Sequence, residues 1–140
     1  MNTVFSFIDG QKKTLKDYTG QWLLVNFWSV SCPPCVEEMP DLSRLHSELN
    51  NEGFNVIGIA MPFDPPDMVV QTRQHKQLSY PIAIDIKGEA NNAFGKIQVI
   101  PTSFLINPDG RVARKYTGVI SYDGFKKELS QQQSVYKKGS

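Results

Sequence analysis

One stretch of sequence decides the fold: Trp22-Leu-Leu-Val-Asn-Phe-Trp28, followed after three intervening residues by Cys32-Pro-Pro-Cys35. The first part is an almost continuous apolar run of strand length, which predicts a central strand covered on both faces. Pro33 suits the first position of a helix, because the N–H that a proline lacks would have no partner there. The sequence therefore predicts two cysteines at the junction between a buried strand and the start of a helix.

The helix is predicted over residues 33–50, because apolar side chains recur there at spacings of three and four: Val36, Met39, Leu42, Leu45 and Leu49. Glu38 falls near the middle of this stripe, where burial would raise its pKa. It lies only ~4.5 Å along the helix axis from Cys35, so it can exchange a proton with that thiol. The alternative is that the helix bends at Pro40 and Glu38 reaches water. His46, farther along the stripe, is interpreted as a packed histidine.

Strands and helices alternate along the rest of the chain. Further strands are predicted at residues 4–8, 54–60, 80–84, 102–106 and 111–117, and further helices at 67–78, 89–94 and from 121 onward. The turn signal Asn107-Pro-Asp-Gly110 predicts a hairpin near the end. The polar residues 131–140 are expected to fray. This pattern predicts one α/β domain over residues 1–140, with three layers and a mixed β-sheet flanked by helices.

Composition narrows the class of protein. The chain has 140 residues, 40% hydrophobic and 21% charged, and no apolar run approaches the ~18 residues of a membrane span, so a soluble globular protein is expected. The net charge is +1 and the basic residues are scattered, which argues against a nucleic-acid partner. Residues 1–10 lack the pattern of a signal peptide, but a mature chain would have lost one, so the compartment has to be inferred from chemistry.

Cys32 and Cys35 are the only cysteines, so a framework of several disulfides is excluded. At a helix N-terminus the unpaired N–H groups and the macrodipole favour a thiolate, which predicts Cys32 as a nucleophile. Cys35, about one turn into the helix, would be the buried resolving thiol. A Cys32 thiolate would attack a substrate disulfide, and Cys35 would then break the mixed disulfide.

The cysteine pair has three other interpretations. A purely structural disulfide is disfavoured, because so short a loop removes little entropy from the unfolded chain. A zinc site needs two more ligands, and His46 and His75 lie far outside the usual spacing of three to five residues. Two inert buried thiols remain an alternative. No metal and no cofactor is predicted.

Ile100-Pro101-Thr102 stands directly before a predicted strand. Only ~5–6% of X-Pro peptide bonds in folded proteins are cis. The residues by themselves therefore predict a trans proline at the edge of a strand.

Several motifs together resemble the thioredoxin superfamily, and most closely the TlpA/ResA/DsbE-like thiol-disulfide oxidoreductases of bacteria: Val25-Asn-Phe-Trp28, Ser31-Cys-Pro-Pro-Cys35 with Glu38 and Pro40, Ile100-Pro-Thr102 and Asn107-Pro-Asp-Gly110. The resemblance implies a thioredoxin-like fold with an extra strand–helix unit between the cysteine helix and a cis-proline. Two positions depart from related patterns. Thioredoxin itself has a buried aspartate where this chain has Asn26, and a tryptophan commonly stands where it has Ser31.

The resemblance also implies roles for particular residues. Glu38 matches the active-site glutamate of the branch, and Pro101 matches the cis-proline that faces the dithiol. Ile100 would offer backbone hydrogen bonds to an extended substrate segment. The substrate-binding residues expected on this basis are Trp28, Pro33, Pro34, Ile100 and Pro101.

The partners implied by the resemblance are protein disulfides and, as electron donor, a membrane thiol relay. The expected protein is a monomer in the periplasm or elsewhere outside the cytoplasm, either free or tethered to a membrane, and it serves cytochrome c maturation or a similar task. Two other functions stay open. Redoxin-type thiol peroxidases share this fold, and Ser29 lies three residues before Cys32. A metal-binding or chaperone-like module would instead use the cysteine pair to hold an ion.

Overall fold

A computed structural model describes residues 3–139, and over that range five strands form one mixed sheet. The strands are β3 (Trp22–Trp28), β4 (Phe54–Ala60), β5 (Ile82–Ile84), β6 (Thr102–Ile106) and β7 (Val112–Thr117), after a separate pair, β1 (Phe5–Ser6) and β2 (Lys12–Lys13). Their order is β5-β4-β3-β6-β7. β3 runs parallel to β4 and antiparallel to β6, so it joins the two halves of the sheet.

Within residues 3–139, four α-helices accompany the sheet: α1 (Pro33–Leu49), α2 (Pro66–Lys76), α3 (Glu89–Ala93) and α4 (Tyr122–Gly139). Two strand–helix units, β4–α2 and β5–α3, lie between α1 and Pro101, so this segment holds the additional unit that was expected. In the described part of the chain, no helix combines the length and the apolar character needed to cross a membrane.

The side chains of β3 alternate between two apolar clusters. Trp22, Leu24 and Trp28 pack in the cluster that contains the buried faces of α1 and α4. The intervening residues Leu23, Val25 and Phe27 pack in a second cluster, with residues of β1 and α3. Every residue of β3 is buried. This confirms a central strand covered on both faces and the predicted three-layer α/β architecture.

The C-terminal segment corrects one expectation. Residues 131–139 continue α4 rather than fray, whereas Ser140 lies outside the described residues. Tyr136 stands seven residues after the buried Leu129, so it continues the inward stripe of the helix. Its ring meets Trp22 edge-on, with ring centroids 5.6 Å apart. This aromatic contact stabilises the last turns, and the polar composition of the segment gave no sign of it.

His46 connects α1 to the sheet. It is buried, and its Nδ1 accepts a hydrogen bond of 3.0 Å from the backbone N–H of Val56. The predicted packed histidine is confirmed. Burial lowers the pKa of His46 below its ordinary value, because the protonated ring loses solvation there.

We expect His46 to weaken the fold in acid. Its neutral form is favoured in the folded state, so its contribution to stability is present above pH 6.5 and is lost as the pH falls. Between pH 7.5 and 5.5, the free energy of unfolding should therefore fall by up to about 1 kcal/mol more in the wild type than in His46→Gln, whose side chain accepts a hydrogen bond without titrating. Denaturant unfolding at both pH values measures this, and His75→Gln at an exposed position should follow the wild type. Equal losses in His46→Gln and the wild type would contradict the assignment.

Candidate active site

Cys32 and Cys35 form a disulfide at the N-terminus of α1. Cys32 is the N-cap residue and is partly exposed, whereas the side chain of Cys35 is 1% exposed. Only Cys32 is therefore open to attack from outside, and Cys35 lies behind it. This is the arrangement expected of a nucleophile and a resolving thiol.

The start of α1 favours negative charge on Cys32. The backbone N–H of Cys35 donates to the Sγ of Cys32 over 3.3 Å. The residues of the first turn, 33–36, are all uncharged. In the reduced protein this donor and the helix dipole would stabilise a thiolate, because both interactions are stronger with the charged form.

The segment before β6 lies against the disulfide. The Sγ of Cys32 is 3.9 Å from the carbonyl oxygen of Ile100, and the Ile100–Pro101 peptide bond is cis. The trans bond expected from the residues alone is therefore wrong, and the cis bond implied by the family resemblance is present. Ile100 is partly exposed and Pro101 is buried, while Pro33 and Pro34 are exposed beside Cys32.

Trp28 lies beside the site and not at its surface. It is 0% exposed, and its expected contribution to substrate binding stays a prediction. The indole packs in the same apolar cluster as Cys35. Trp28 is the last residue of a strand buried on both faces, and this position directs its side chain into the core. It therefore supports the site from the core side, in the same cluster as Cys35.

Glu38 is buried in the described structure, with 1% of its surface exposed. One carboxyl oxygen accepts a hydrogen bond of 2.8 Å from the Nδ2 of Asn26, and the other accepts one of 2.6 Å from the backbone N–H of Ile120. α1 continues through Pro40 without releasing Glu38 to water. The alternative of a solvated glutamate is wrong, and the burial predicted from helical periodicity is confirmed.

Burial raises the pKa of Glu38 to about 7, since a buried carboxylate loses the solvation that water gives it. The two donors from Ile120 and Asn26 lower the pKa, and the negative charge of Asp41 raises it, but burial is the largest of these effects. Near neutral pH, Glu38 can therefore either hold or accept a proton. It lies one helical turn from Cys35.

Asn26 and Ser103 hold Glu38 in place. The Nδ2 of Asn26 also donates to the Oγ of Ser103 over 2.9 Å, and both side chains are buried. This connects α1 to β3 and to β6, the strand that follows Pro101. Sequence reasoning did not identify Ser103 or Ile120. Asn26 and Ser103 did carry a signal, because each is a polar residue within an otherwise apolar strand.

The loop between β7 and α4 supports both halves of the site. The backbone N–H of Gly118 donates to the carbonyl oxygen of Pro101 over 2.8 Å. Two residues later, the N–H of Ile120 donates to Glu38. One short loop therefore supports both the proline segment and the buried carboxyl.

The two histidines do not join the cysteines. His46 is buried and accepts a hydrogen bond from the backbone of Val56, and His75 is exposed on α2. Among residues 3–139, no group of three or more His, Cys, Asp or Glu side chains is arranged to hold a metal ion.

Comparison with known proteins identifies a family model and a relative that match most of this chain. The sequence model of the AhpC/TSA family matches residues 5–115. The thiol-disulfide oxidoreductase ResA of Bacillus thuringiensis subsp. konkukian is 37% identical over 119 residues, which are 84% of this chain and 66% of that protein. This chain thus spans about two thirds of the length of that relative.

Two solved structures are also similar to this chain. A protein of Neisseria meningitidis assigned to the thioredoxins has a TM-score of 0.87 at 30% identity, covering 96% of this chain and 89% of its own. A thiol:disulfide interchange protein of the thioredoxin family from Chlorobium tepidum has a TM-score of 0.81 at 26% identity. The match covers 93% of this chain and 92% of that one. The fold is therefore thioredoxin-like.

We expect Glu38→Gln to slow the step in which Cys35 attacks, by at least about tenfold. As the pH rises through about 7, Glu38 loses its proton and becomes able to accept the proton of Cys35, so the wild-type rate of this step should rise there. The amide of the variant cannot take up this proton, and the rise should disappear. Stopped-flow reaction of the reduced protein with an aromatic disulfide separates this step, because release of the second aromatic thiol reports it.

Glu37→Gln is the matched control, since its side chain is exposed on the same helix and should leave the profile unchanged. A Glu38→Gln variant with the wild-type rate and pH profile would show that the buried carboxyl takes no part in proton transfer.

Proposed function

Because the chain belongs to the AhpC/TSA family and, within the thioredoxin superfamily, to the ResA/DsbE-like thiol-disulfide oxidoreductases, we propose that it reduces specific protein disulfides through Cys32 and Cys35. One observation carries the proposal. A partly exposed sulfur at a helix N-terminus is joined to a buried sulfur, with a buried carboxyl one turn farther along the helix. This geometry suits two successive thiol–disulfide exchanges.

The reaction begins with the reduced protein. The Cys32 thiolate attacks one sulfur of the substrate disulfide, the substrate S–S bond breaks, and one substrate thiolate leaves. Cys35 then gives up its proton and attacks the Sγ of Cys32. The second substrate thiolate leaves, and the Cys32–Cys35 disulfide forms. Two electrons have passed from the dithiol to the substrate.

Glu38 serves the second exchange. Cys35 is buried, so its thiol has no direct route for proton loss to water and needs a nearby acceptor. A carboxyl with a pKa of about 7 can accept this proton near neutral pH and return it when the dithiol is regenerated.

The substrate segment is expected to lie in extended form across the exposed side of Cys32. Its backbone would pair with that of Ile100, in the manner of an added strand, while Pro33 and Pro34 contact it on the other side. Pro101 contributes by shaping the Ile100 carbonyl and the backbone near Cys32 rather than through a large exposed surface. At position 31 a serine leaves the rim of this surface small and polar.

The cellular setting is proposed from the resemblance to the branch. The protein would act as a monomer outside the cytoplasm, in the periplasm, and a membrane thiol relay would reduce its disulfide after each cycle. Maturation of cytochrome c, or a similar task that needs reduced cysteines, would supply its substrates.

The site gives the peroxidase alternative no support. The hydroxyl of Ser29 donates to Asp64 over 2.7 Å, so its proton is not directed at the sulfur of Cys32. Cys35 lies within disulfide distance of Cys32, which favours exchange between thiols. Rapid consumption of hydrogen peroxide by the reduced protein would instead favour a thiol peroxidase.

A reductase should have a midpoint potential below that of the glutathione couple. We therefore expect the protein to be largely in the disulfide form at equilibrium with a glutathione buffer whose potential equals the midpoint potential of the glutathione couple. A tenfold change in the exchange equilibrium corresponds to ~30 mV, so mass spectrometry after acid quenching and alkylation resolves the difference. A midpoint more oxidising than that of glutathione would contradict net reduction.

Trapping identifies the substrates. In Cys35→Ala, the mixed disulfide at Cys32 cannot be resolved and should accumulate with the proteins that dock there. Cys32→Ala is the matched control, because it keeps one thiol but not the exposed one, and it should capture little. Equal capture by both variants would show that Cys32 is not the attacking residue.

A further inference from the structure

Asp64 is a buried carboxylate that the proposed mechanism does not use. It lies in the loop between β4 and α2 and is 6% exposed. Oδ1 accepts a hydrogen bond of 2.7 Å from the hydroxyl of Ser29, and Oδ2 accepts one of 2.9 Å from the backbone N–H of Val30. Both donors belong to residues 29–31, the loop that leads from β3 to Cys32.

Ser29 is the centre of this network. Its side chain is fully buried, and its only hydroxyl proton goes to Asp64. The hydroxyl of Ser31, 3.0 Å away, must therefore donate to the Oγ of Ser29, which also receives the backbone N–H of Ser31 over 3.2 Å. The carbonyl of Ser29 accepts the N–H of Cys32, also over 3.2 Å.

The start of α1 makes the position of this loop important. Pro33 and Pro34 occupy the first two positions of the helix and have no N–H. The first helical N–H that can reach the sulfur of Cys32 is therefore that of Cys35, and it does so over 3.3 Å. A sulfur that depends on this donor has to be placed by the chain that precedes it.

We propose that Asp64 is a positioning residue, which acts through Ser29 to hold residues 29–31 so that the Sγ of Cys32 stays over the N-terminus of α1. We call these two side chains the Asp64–Ser29 latch. The inference rests on the proposed role of Cys32 as the nucleophile. Asp64 itself touches neither sulfur nor substrate, and its effect is on the reactivity of the Cys32 thiol.

The test compares two variants of equal charge. Asp64→Asn and Asp64→Ala both remove the negative charge, but only the asparagine keeps the latch. Its amide oxygen can accept from the N–H of Val30. Its NH₂ can donate to the Oγ of Ser29 once the hydroxyl proton of Ser29 turns to the Oγ of Ser31, 3.0 Å away. The rate constant for alkylation of Cys32 by iodoacetamide in the reduced protein, with the site verified by peptide mass, should be at least fivefold lower in Asp64→Ala than in Asp64→Asn.

Ser29→Ala tests the latch from its other side, because it keeps the carboxylate. It should also slow alkylation, and the double variant Ser29→Ala/Asp64→Ala should be no slower than the slower single variant, since both changes break the same connection. Phe63→Ala is the matched control. Phe63 is exposed and adjacent to Asp64, and its removal should leave the alkylation rate unchanged.

Loss of stability is separated from loss of positioning by thermal unfolding, with rates taken well below the transition of each variant. If Asp64→Ala fails to fold, the alkylation rate of Ser29→Ala is compared with that of the wild type instead. Equal alkylation rates in Asp64→Ala and Asp64→Asn, or a Ser29→Ala rate equal to that of the wild type, would overturn the proposal. Alkylation needs no protein substrate, so a failure to reduce protein disulfides would count against the proposed function and leave this result standing.

Discussion

The proposed chemistry requires a sulfur anion at a helix N-terminus from which two prolines have removed the first N–H groups. This constraint governs the geometry of the site. The N–H of Cys35 becomes the local donor to Cys32, so the residue proposed to resolve the mixed disulfide also carries the group that would stabilise the proposed nucleophile. The prolines fix the backbone angle at which the helix begins, because their φ is locked. Rigidity of the helix start and stabilisation of the thiolate therefore come from the same four residues, Cys32 to Cys35.

The second requirement is a buried carboxyl whose two oxygens both have hydrogen-bond donors. An unpaired carboxylate in an apolar core would cost several kcal/mol. Here Asn26 and the N–H of Ile120 each donate to one oxygen of Glu38, which limits that cost while burial keeps its pKa near neutrality. Asn26 is suited to this task because its amide is neutral and donates two protons, one to Glu38 and one to Ser103. An aspartate at the same position would place a second acid against Glu38, and the like charge would raise the pKa further.

The features predictable from sequence were those that depend on local pattern. β3, β4 and β6 begin and end where the apolar runs do, and helical periodicity alone placed Glu38 on the buried face of α1. Contacts between distant residues left no such pattern. Glu38 and Ile120 are 82 positions apart, and nothing in a linear sequence aligns a backbone N–H with a carboxyl at that separation. The contact that keeps α4 helical to its end has the same character, because it joins Tyr136 to Trp22. The cis-proline came from family resemblance, since the residues around it are compatible with either isomer.

The loop between β7 and α4 joins Glu38, the proposed proton acceptor, to the proposed substrate-binding segment at Pro101. Gly118 donates to the carbonyl of Pro101, and Ile120, two residues later, donates to Glu38. A shift of the Pro101 segment on docking would be felt by this loop, and so by the donor that lowers the pKa of Glu38. Weakening that donor would raise the pKa and favour the protonated carboxyl, whereas strengthening it would do the reverse. The proton affinity of Glu38 and the position of the Pro101 segment are therefore linked through one connected stretch of backbone.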